Sequence, residues 1–109
     1  MTAIKRPWGY YKVLYNREGY KVKELIVLPH KSISLQKHKE RSEHWVVVRG
    51  KVNIILGGKK KTLRENQHVF IKKGIKHKII NKTDEMIRLI EVWYGENLSE
   101  EDIVRYDEY

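Results

Sequence analysis

At 109 residues the chain has the length of one domain, and a single domain over residues 1–109 is expected. Hydrophobic residues at 40% and charged residues at 34% fit a globular chain and exclude a disordered one. The absence of cysteine excludes disulfides and thiolate metal sites, so a bound metal must take nitrogen and oxygen ligands, and the formal net charge of +9 favours anionic ligands or simple solubility.

Taken in order, the chain reads as short strands broken by turns. Tyr10–Leu14 and Tyr20–Leu28 flank Asn16-Arg17-Glu18-Gly19, a turn by composition. Pro29-His30-Lys31 ends the second strand, and residues 33–38 form the next candidate. Glu43–Val48 is rich in β-branched residues and meets Val52–Leu56 across a tight turn at Gly50. Gly57-Gly58 turns into Lys59–Leu63, and Glu65-Asn66 precedes His68–Ile71. Lys73-Gly74 precedes Lys76–Ile80, and Asn81-Lys82-Thr83-Asp84 leads to a long strand over Met86–Tyr94. Only the tail looks helical: Ser99 is an N-cap residue followed by Glu100, Glu101 and Asp102, and one or two turns are expected through Arg105. Eight or nine short strands without βαβ alternation imply an all-β sandwich or barrel. Trp8, Trp45 and Trp93 are expected in its core.

Residues two apart on a strand face the same way, so Gln36 and His38 can point together into a barrel. Glu43 opens the following strand, and His77 lies about 40 residues beyond His38 on another. Together Gln36, His38, Glu43 and His77 offer two nitrogens and two oxygens, a set suited to Zn²⁺, Mn²⁺, Fe²⁺ or Co²⁺. Each histidine alone also reads as an ordinary polar residue on a sheet.

The spacing resembles the two cupin motifs. His38-x4-Glu43-x6-Gly50 matches the end of the first, and Gly74-x2-His77-x3-Asn81 the end of the second. Gln36 stands where most cupins have histidine, Asn66 where the second motif has its leading glycine, and Lys72 where it has proline. The runs Arg6-Pro7-Trp8-Gly9, Leu35-Gln36-Lys37-His38, Arg41-Ser42-Glu43-His44-Trp45 and Leu89-Ile90-Glu91-Val92 are similar to the type II mannose-6-phosphate isomerase domain, as is the tail from Leu98 to Arg105.

The resemblance implies a cupin jelly-roll barrel of antiparallel strands with a short C-terminal helix. It also implies one divalent metal ion, zinc first with manganese, cobalt or iron as alternatives, on Gln36, His38, Glu43 and His77. The implied reaction is the interconversion of mannose-6-phosphate and fructose-6-phosphate. Arg41 and His44 are then the catalytic candidates, and Arg6, Lys76 and Lys78 the basic residues for the phosphate. The alternative is a non-catalytic or different-substrate cupin that binds a sugar phosphate or nucleotide sugar.

A homodimer is expected from the same resemblance. No helix-turn-helix, zinc-finger or RNP pattern favours nucleic acid, and no run approaches the roughly 18 apolar residues of a membrane span. Neither partner is expected, and a cytoplasmic protein acting on a small phosphorylated sugar is.

Overall fold

Alternation of buried and exposed side chains sets the architecture. In the strand Ile87–Tyr94, Ile87, Leu89, Glu91 and Trp93 are buried while the residues between them are not. This is the period of two expected of a strand with one covered face. The computed structural model describes residues 2–107; residues 1, 108 and 109 of the expected domain lie outside the described residues.

Eleven strands are formed among the described residues: β1 (Ile4–Arg6), β2 (Gly9–Arg17), β3 (Tyr20–Val27), β4 (Gln36–Lys37), β5 (Ser42–Arg49), β6 (Val52–Leu56), β7 (Lys59–Leu63), β8 (His68–Ile71), β9 (His77–Ile80), β10 (Ile87–Tyr94) and β11 (Val104–Arg105). They make a six-stranded sheet in the order β1-β2-β3-β10-β5-β8 and a five-stranded sheet in the order β11-β4-β9-β6-β7. The strand pairings are antiparallel.

One apolar cluster joins the sheets. Leu25, Trp45, Val47 and Leu89 from the first sheet pack with Val52, Ile54, Leu63 and Ile79 from the second. Burying such side chains stabilises by about 1.5–3 kcal/mol each, so this layer carries much of the fold. The tryptophans Trp8, Trp45 and Trp93 are all buried, as expected.

Two turns show why particular residues stand in the motif positions. Asn66 replaces the glycine of the second cupin motif and adopts φ 68°, a left-handed conformation that asparagine tolerates better than most residues. Gly50 adopts φ 95°, and a Cβ there would stand 2.7 Å from Cγ2 of Ile87. Both backbone angle and space therefore require glycine.

Three features differ from the sequence-based expectation. The strand expected over residues 33–38 pairs as a strand only at Gln36–Lys37. Leu35 N–H donates to Asp107 Oδ1 and the His38 carbonyl accepts from Gly74 N–H, which takes flanking groups out of the ladder. The short strands β1 and β11 were not expected.

The expected C-terminal helix is also absent among the described residues. A single turn forms, with Asp102 N–H donating to the Ser99 carbonyl. Side chains elsewhere take the carbonyls that a helix would need: Arg41 donates to those of Ser99 and Asp102, and His38 Nδ1 to that of Asp102. Val104–Arg105 then joins the second sheet beside β4. Tertiary partners thus override the local helix signal. Among the described residues no helix is long and apolar enough to cross a membrane.

Candidate metal centre and its cavity

His38, Glu43 and His77 come together between the two sheets. Each offers a ligand atom within 4.8 Å of the others, and all three are buried. β5 places Glu43 and Trp45 on its inner face, two residues apart, and Trp45 Nε1 donates to Glu43 Oε1 at 2.8 Å. His77 opens β9, in register with Gln36 of β4 and Leu56 of β6. His38 follows β4, and the hydrogen bond from Gly74 N–H to its carbonyl ties the loop before His77 to the loop before Glu43.

Hydrogen bonds fix the tautomers. His38 Nδ1 lies 2.7 Å from the Asp102 carbonyl and His77 Nδ1 lies 2.9 Å from the Ile75 carbonyl. A carbonyl can only accept, so both Nδ1 atoms carry protons and both Nε2 atoms turn lone pairs inward. Burial lowers the His38 pKa to about 4, against the opposing pull of Glu43, and burial likewise lowers that of His77; both imidazoles are neutral. Burial alone would raise the Glu43 carboxyl, but the Arg41 guanidinium, helped by the Trp45 N–H, holds it below the usual value.

This donor set fits a divalent cation. His38 Nε2 is 3.1 Å from His77 Nε2 and 3.1 Å from Glu43 Oε2. Ligand atoms about 2 Å from a common ion stand roughly 3 Å apart. Lone pairs and a carboxylate oxygen meeting at one point repel unless positive charge stands among them. Arg41 supplies part of that charge: Nε donates to Glu43 Oε2 at 2.8 Å and Nη2 to His38 Nε2 at 3.1 Å. Gln36 lines the same cavity, and its amide nitrogen is turned to the Ser34 carbonyl at 3.2 Å, which leaves its carbonyl oxygen as the atom to offer a cation. The Asn81 side chain is no ligand. It donates to the carbonyls of Val27, Leu28 and Glu85 and accepts from Thr83, clamping the loop before β10.

The other expected site residues divide. Arg41 is buried at the centre, with its guanidinium carbon 3.4 Å from the Trp93 ring centroid. Arg6 and Lys78 line the cavity, with Arg6 Nη2 3.5 Å from Tyr11 Oη and Lys78 Nζ 2.6 Å from Asp107 Oδ2. His44 and Lys76 are corrected. His44 has the opposite parity to Glu43, so it is exposed on the outer face against the Phe70 ring at 4.7 Å. Lys76 is exposed over the Tyr106 ring and does not line the cavity.

Several cavity residues were not singled out as site residues by the sequence, among them Lys23, Glu91 and Trp93, the last expected only as core. Lys23 and Glu91 are buried cross-strand partners on β3 and β10, and Trp93 forms the wall shared by Arg41, Lys23 and His38. Burial raises the Glu91 pKa to about 8, helped by the Glu43 charge and opposed by Lys23. Trp93 Nε1 donates to Glu91 Oε1 at 3.0 Å, repeating on β10 the Glu-x-Trp bond of β5. Parity was the signal: Lys21 and Lys23 share the parity of Leu25 and Val27, and Glu91 that of Leu89 and Trp93.

An antiparallel two-sheet barrel with two histidines and a glutamate meeting inside defines a cupin with a candidate metal centre. A Cupin 2 conserved barrel domain protein from Salinispora arenicola superposes with a TM-score of 0.71 at 21% identity, covering 79% of this chain and 75% of its own. The capsular polysaccharide assembling protein CapF from Staphylococcus aureus reaches 0.83 at 19% identity, over 97% of this chain and 34% of its own. At such identities the likeness concerns the fold alone.

The chain belongs to the family described as mannose-6-phosphate isomerase C-terminal, whose sequence model matches residues 1–108. A mannose-1-phosphate guanylyltransferase from Salmonella montevideo is 42% identical over 105 residues, which is 96% of this chain and 22% of the relative. The chain thus spans about a fifth of the length of the curated relatives it matches. Further relatives at 39–40% identity bear the same name. These names correct the expected isomerase activity: the relatives are named for guanylyl transfer and not for the interconversion of mannose-6-phosphate and fructose-6-phosphate.

Proposed function

We propose that this domain is a metal-holding cupin module that binds a sugar phosphate or nucleotide sugar. One observation carries the reading. The cavity places the donor cluster of His38, Glu43 and His77 beside cationic side chains, including Lys23, Arg41 and Lys78, and against the aromatic walls of Tyr11 and Trp93. Aromatic faces suit the apolar side of a sugar ring, cations suit phosphate, and a metal suits hydroxyl or carbonyl oxygens. The names of the relatives point to the same ligand class, a mannose phosphate and a guanylyl group.

His38, His77 and Glu43 would hold the metal, with Gln36 as the remaining oxygen donor. Zinc suits this set first, and manganese, cobalt and iron are compatible with it. When bound, the ion supplies a positive centre that draws sugar oxygens and fixes their orientation. Arg41 anchors Glu43, and Trp93 carries Arg41 on its face. A cytoplasmic location is proposed on the cysteine-free composition and a homodimer on the family resemblance, and a monomer by light scattering overturns the latter.

The test is calorimetry on protein stripped of metal and reloaded with zinc. Mannose 1-phosphate, GDP-mannose and unphosphorylated mannose are titrated in turn. Zinc-dependent binding of the phosphorylated ligands, with mannose itself weaker, supports the reading. Failure of every phosphorylated ligand to bind overturns it.

A further inference from the structure

Lys21 and Lys23 project from the inner face of β3, on the same parity as Leu25 and Val27. Only 8% of Lys21 and 5% of Lys23 is exposed. Burying two ammonium groups side by side is unfavourable unless an anion stands with them. That anion is the single carboxylate of Glu100. Lys23 Nζ lies 2.9 Å from its Oε1 and 3.3 Å from its Oε2, and Lys21 Nζ lies 3.3 Å from Oε2.

The surroundings are built for the cations. Lys23 Nζ stands 3.9 Å from the Tyr11 ring centroid and 4.1 Å from that of Trp93, and Lys21 Nζ stands 5.0 Å from Trp93. Aromatic faces hold ammonium heads in place without neutralising them. Glu100 itself belongs to the tail turn, and 42% of its side chain is exposed. Glu91, across the strand pair from Lys23, makes no ion pair with either lysine, and burial raises its pKa to about 8; the one carboxylate of Glu100 therefore faces two buried ammonium groups and leaves a charge unmatched. A phosphate carries close to two negative charges and offers three oxygens.

We infer that Lys23, which lines the cavity, and Lys21 behind it form an anion subsite at the cavity's edge for the phosphate of the bound sugar, and that Glu100, which lines the cavity beside Lys23, fills this subsite in the ligand-free chain. The inference rests on the sugar-phosphate reading for the identity of the ligand. Trp93 links the subsite to the metal centre, because Lys23 lies against the ring that also carries Arg41.

The simpler alternative is that Glu100 only latches the tail. The tail has other anchors, however. Arg41 Nη1 donates to the Ser99 and Asp102 carbonyls, and the Asp102 carboxylate accepts from the N–H groups of Lys39 and Glu40. Glu100 can therefore be exchanged for a ligand oxygen while the turn stays in place.

The two roles separate in Glu100→Gln, Lys23→Met and Lys21→Met, each zinc-loaded and checked for fold by circular dichroism. The probes are inorganic phosphate and mannose 1-phosphate, titrated at low ionic strength. With its competitor removed, Glu100→Gln is expected to bind phosphate about tenfold more tightly than the parent, and Lys23→Met about tenfold more weakly, each the equivalent of one charge-assisted hydrogen bond. Lys21→Met carries the same expectation should Lys23→Met fail to fold. Phosphate affinity that is absent, or unmoved by Glu100→Gln and by the lysine variant, overturns the subsite. Should mannose 1-phosphate still bind in a zinc-dependent way, only the subsite falls. Should phosphate follow the variants while mannose 1-phosphate binds no better than phosphate, the subsite stands and the sugar-phosphate reading falls.

Discussion

His38 Nε2 and His77 Nε2 face each other at 3.1 Å with no proton between them, because both Nδ1 atoms are committed to backbone carbonyls. Two neutral imidazoles hold this arrangement only at a positive centre. The direct consequence is metal loading. Parent protein dialysed against zinc should retain one ion per chain by elemental analysis. His38→Ala and His77→Ala should each weaken loading by more than about 100-fold, beyond what loss of a mere supporting hydrogen bond brings. One ion per chain in both variants, at unchanged affinity, would remove the centre from this position.

Arg41 and a bound ion draw on the same atoms. Its guanidinium donates to Glu43 Oε2 and His38 Nε2, both of which are candidate ligand atoms. In metal-free protein Arg41→Met leaves the buried Glu43 carboxylate without its main counter-charge, which costs on the order of 3–5 kcal/mol. A divalent ion restores that charge. Differential scanning fluorimetry should therefore show a lower melting temperature for metal-free Arg41→Met than for the metal-free parent, and a larger upward shift on zinc addition. Equal shifts in both proteins would mean that Arg41 and the ion do not compete.

Strand placement was largely legible because alternation and turn residues are local signals. β5, β6, β7, β8 and β10 begin and end within a residue or two of the expected limits. His38, Glu43 and His77 were legible through spacing. Residues whose roles depend on long-range partners were not. Lys23 has no motif, Glu91 lies in a family-like run that assigns it no role, and Trp93 reads only as core; their site role appears when β3 and β10 pair. Glu100 and Asp102 read as helix-starting acids, yet their carboxylates are drawn to Lys21, Lys23 and the backbone of residues 39–40. His44 reads two ways: strand parity points it outward, as found, and only its place in the motif made it a catalytic candidate.

Asn81 tests whether a motif residue acts on metal or on fold. Its buried amide serves three carbonyls and both donors of Thr83. Asn81→Ala removes the amide donor from the buried Val27 carbonyl, while the Leu28 carbonyl keeps Lys31 N–H and the Glu85 carbonyl keeps Thr83 Oγ1, and the expected loss is about 1–3 kcal/mol by urea unfolding. Zinc stoichiometry should be unchanged. Loss of zinc from a variant that remains folded would instead tie Asn81 to the centre.

Glu91 gives the metal-free protein a distinctive pH dependence. Its folded pKa is raised to about 8 from an ordinary value of 4.5, chiefly by burial. Between these values the folded chain holds a proton that the unfolded chain has released, so stability falls as pH rises through the window. His38 acts in the opposite sense: its folded pKa is about 4 against an ordinary 6.5, so its contribution rises with pH across that lower window. The two oppose each other below about pH 6.5, where the unfolded histidine titrates. From there to about pH 8 the Glu91 slope stands without that opposition, worth roughly 2 kcal/mol in total at about 1.4 kcal/mol per pH unit. Urea unfolding in the presence of a chelator should show this decline in the parent. Glu91→Gln keeps the shape of the side chain and an acceptor for Trp93 Nε1 but binds no proton, so its stability should be flat across the same range. An identical decline in parent and variant would assign the slope to another group and leave the Glu91 carboxyl ionised at neutral pH.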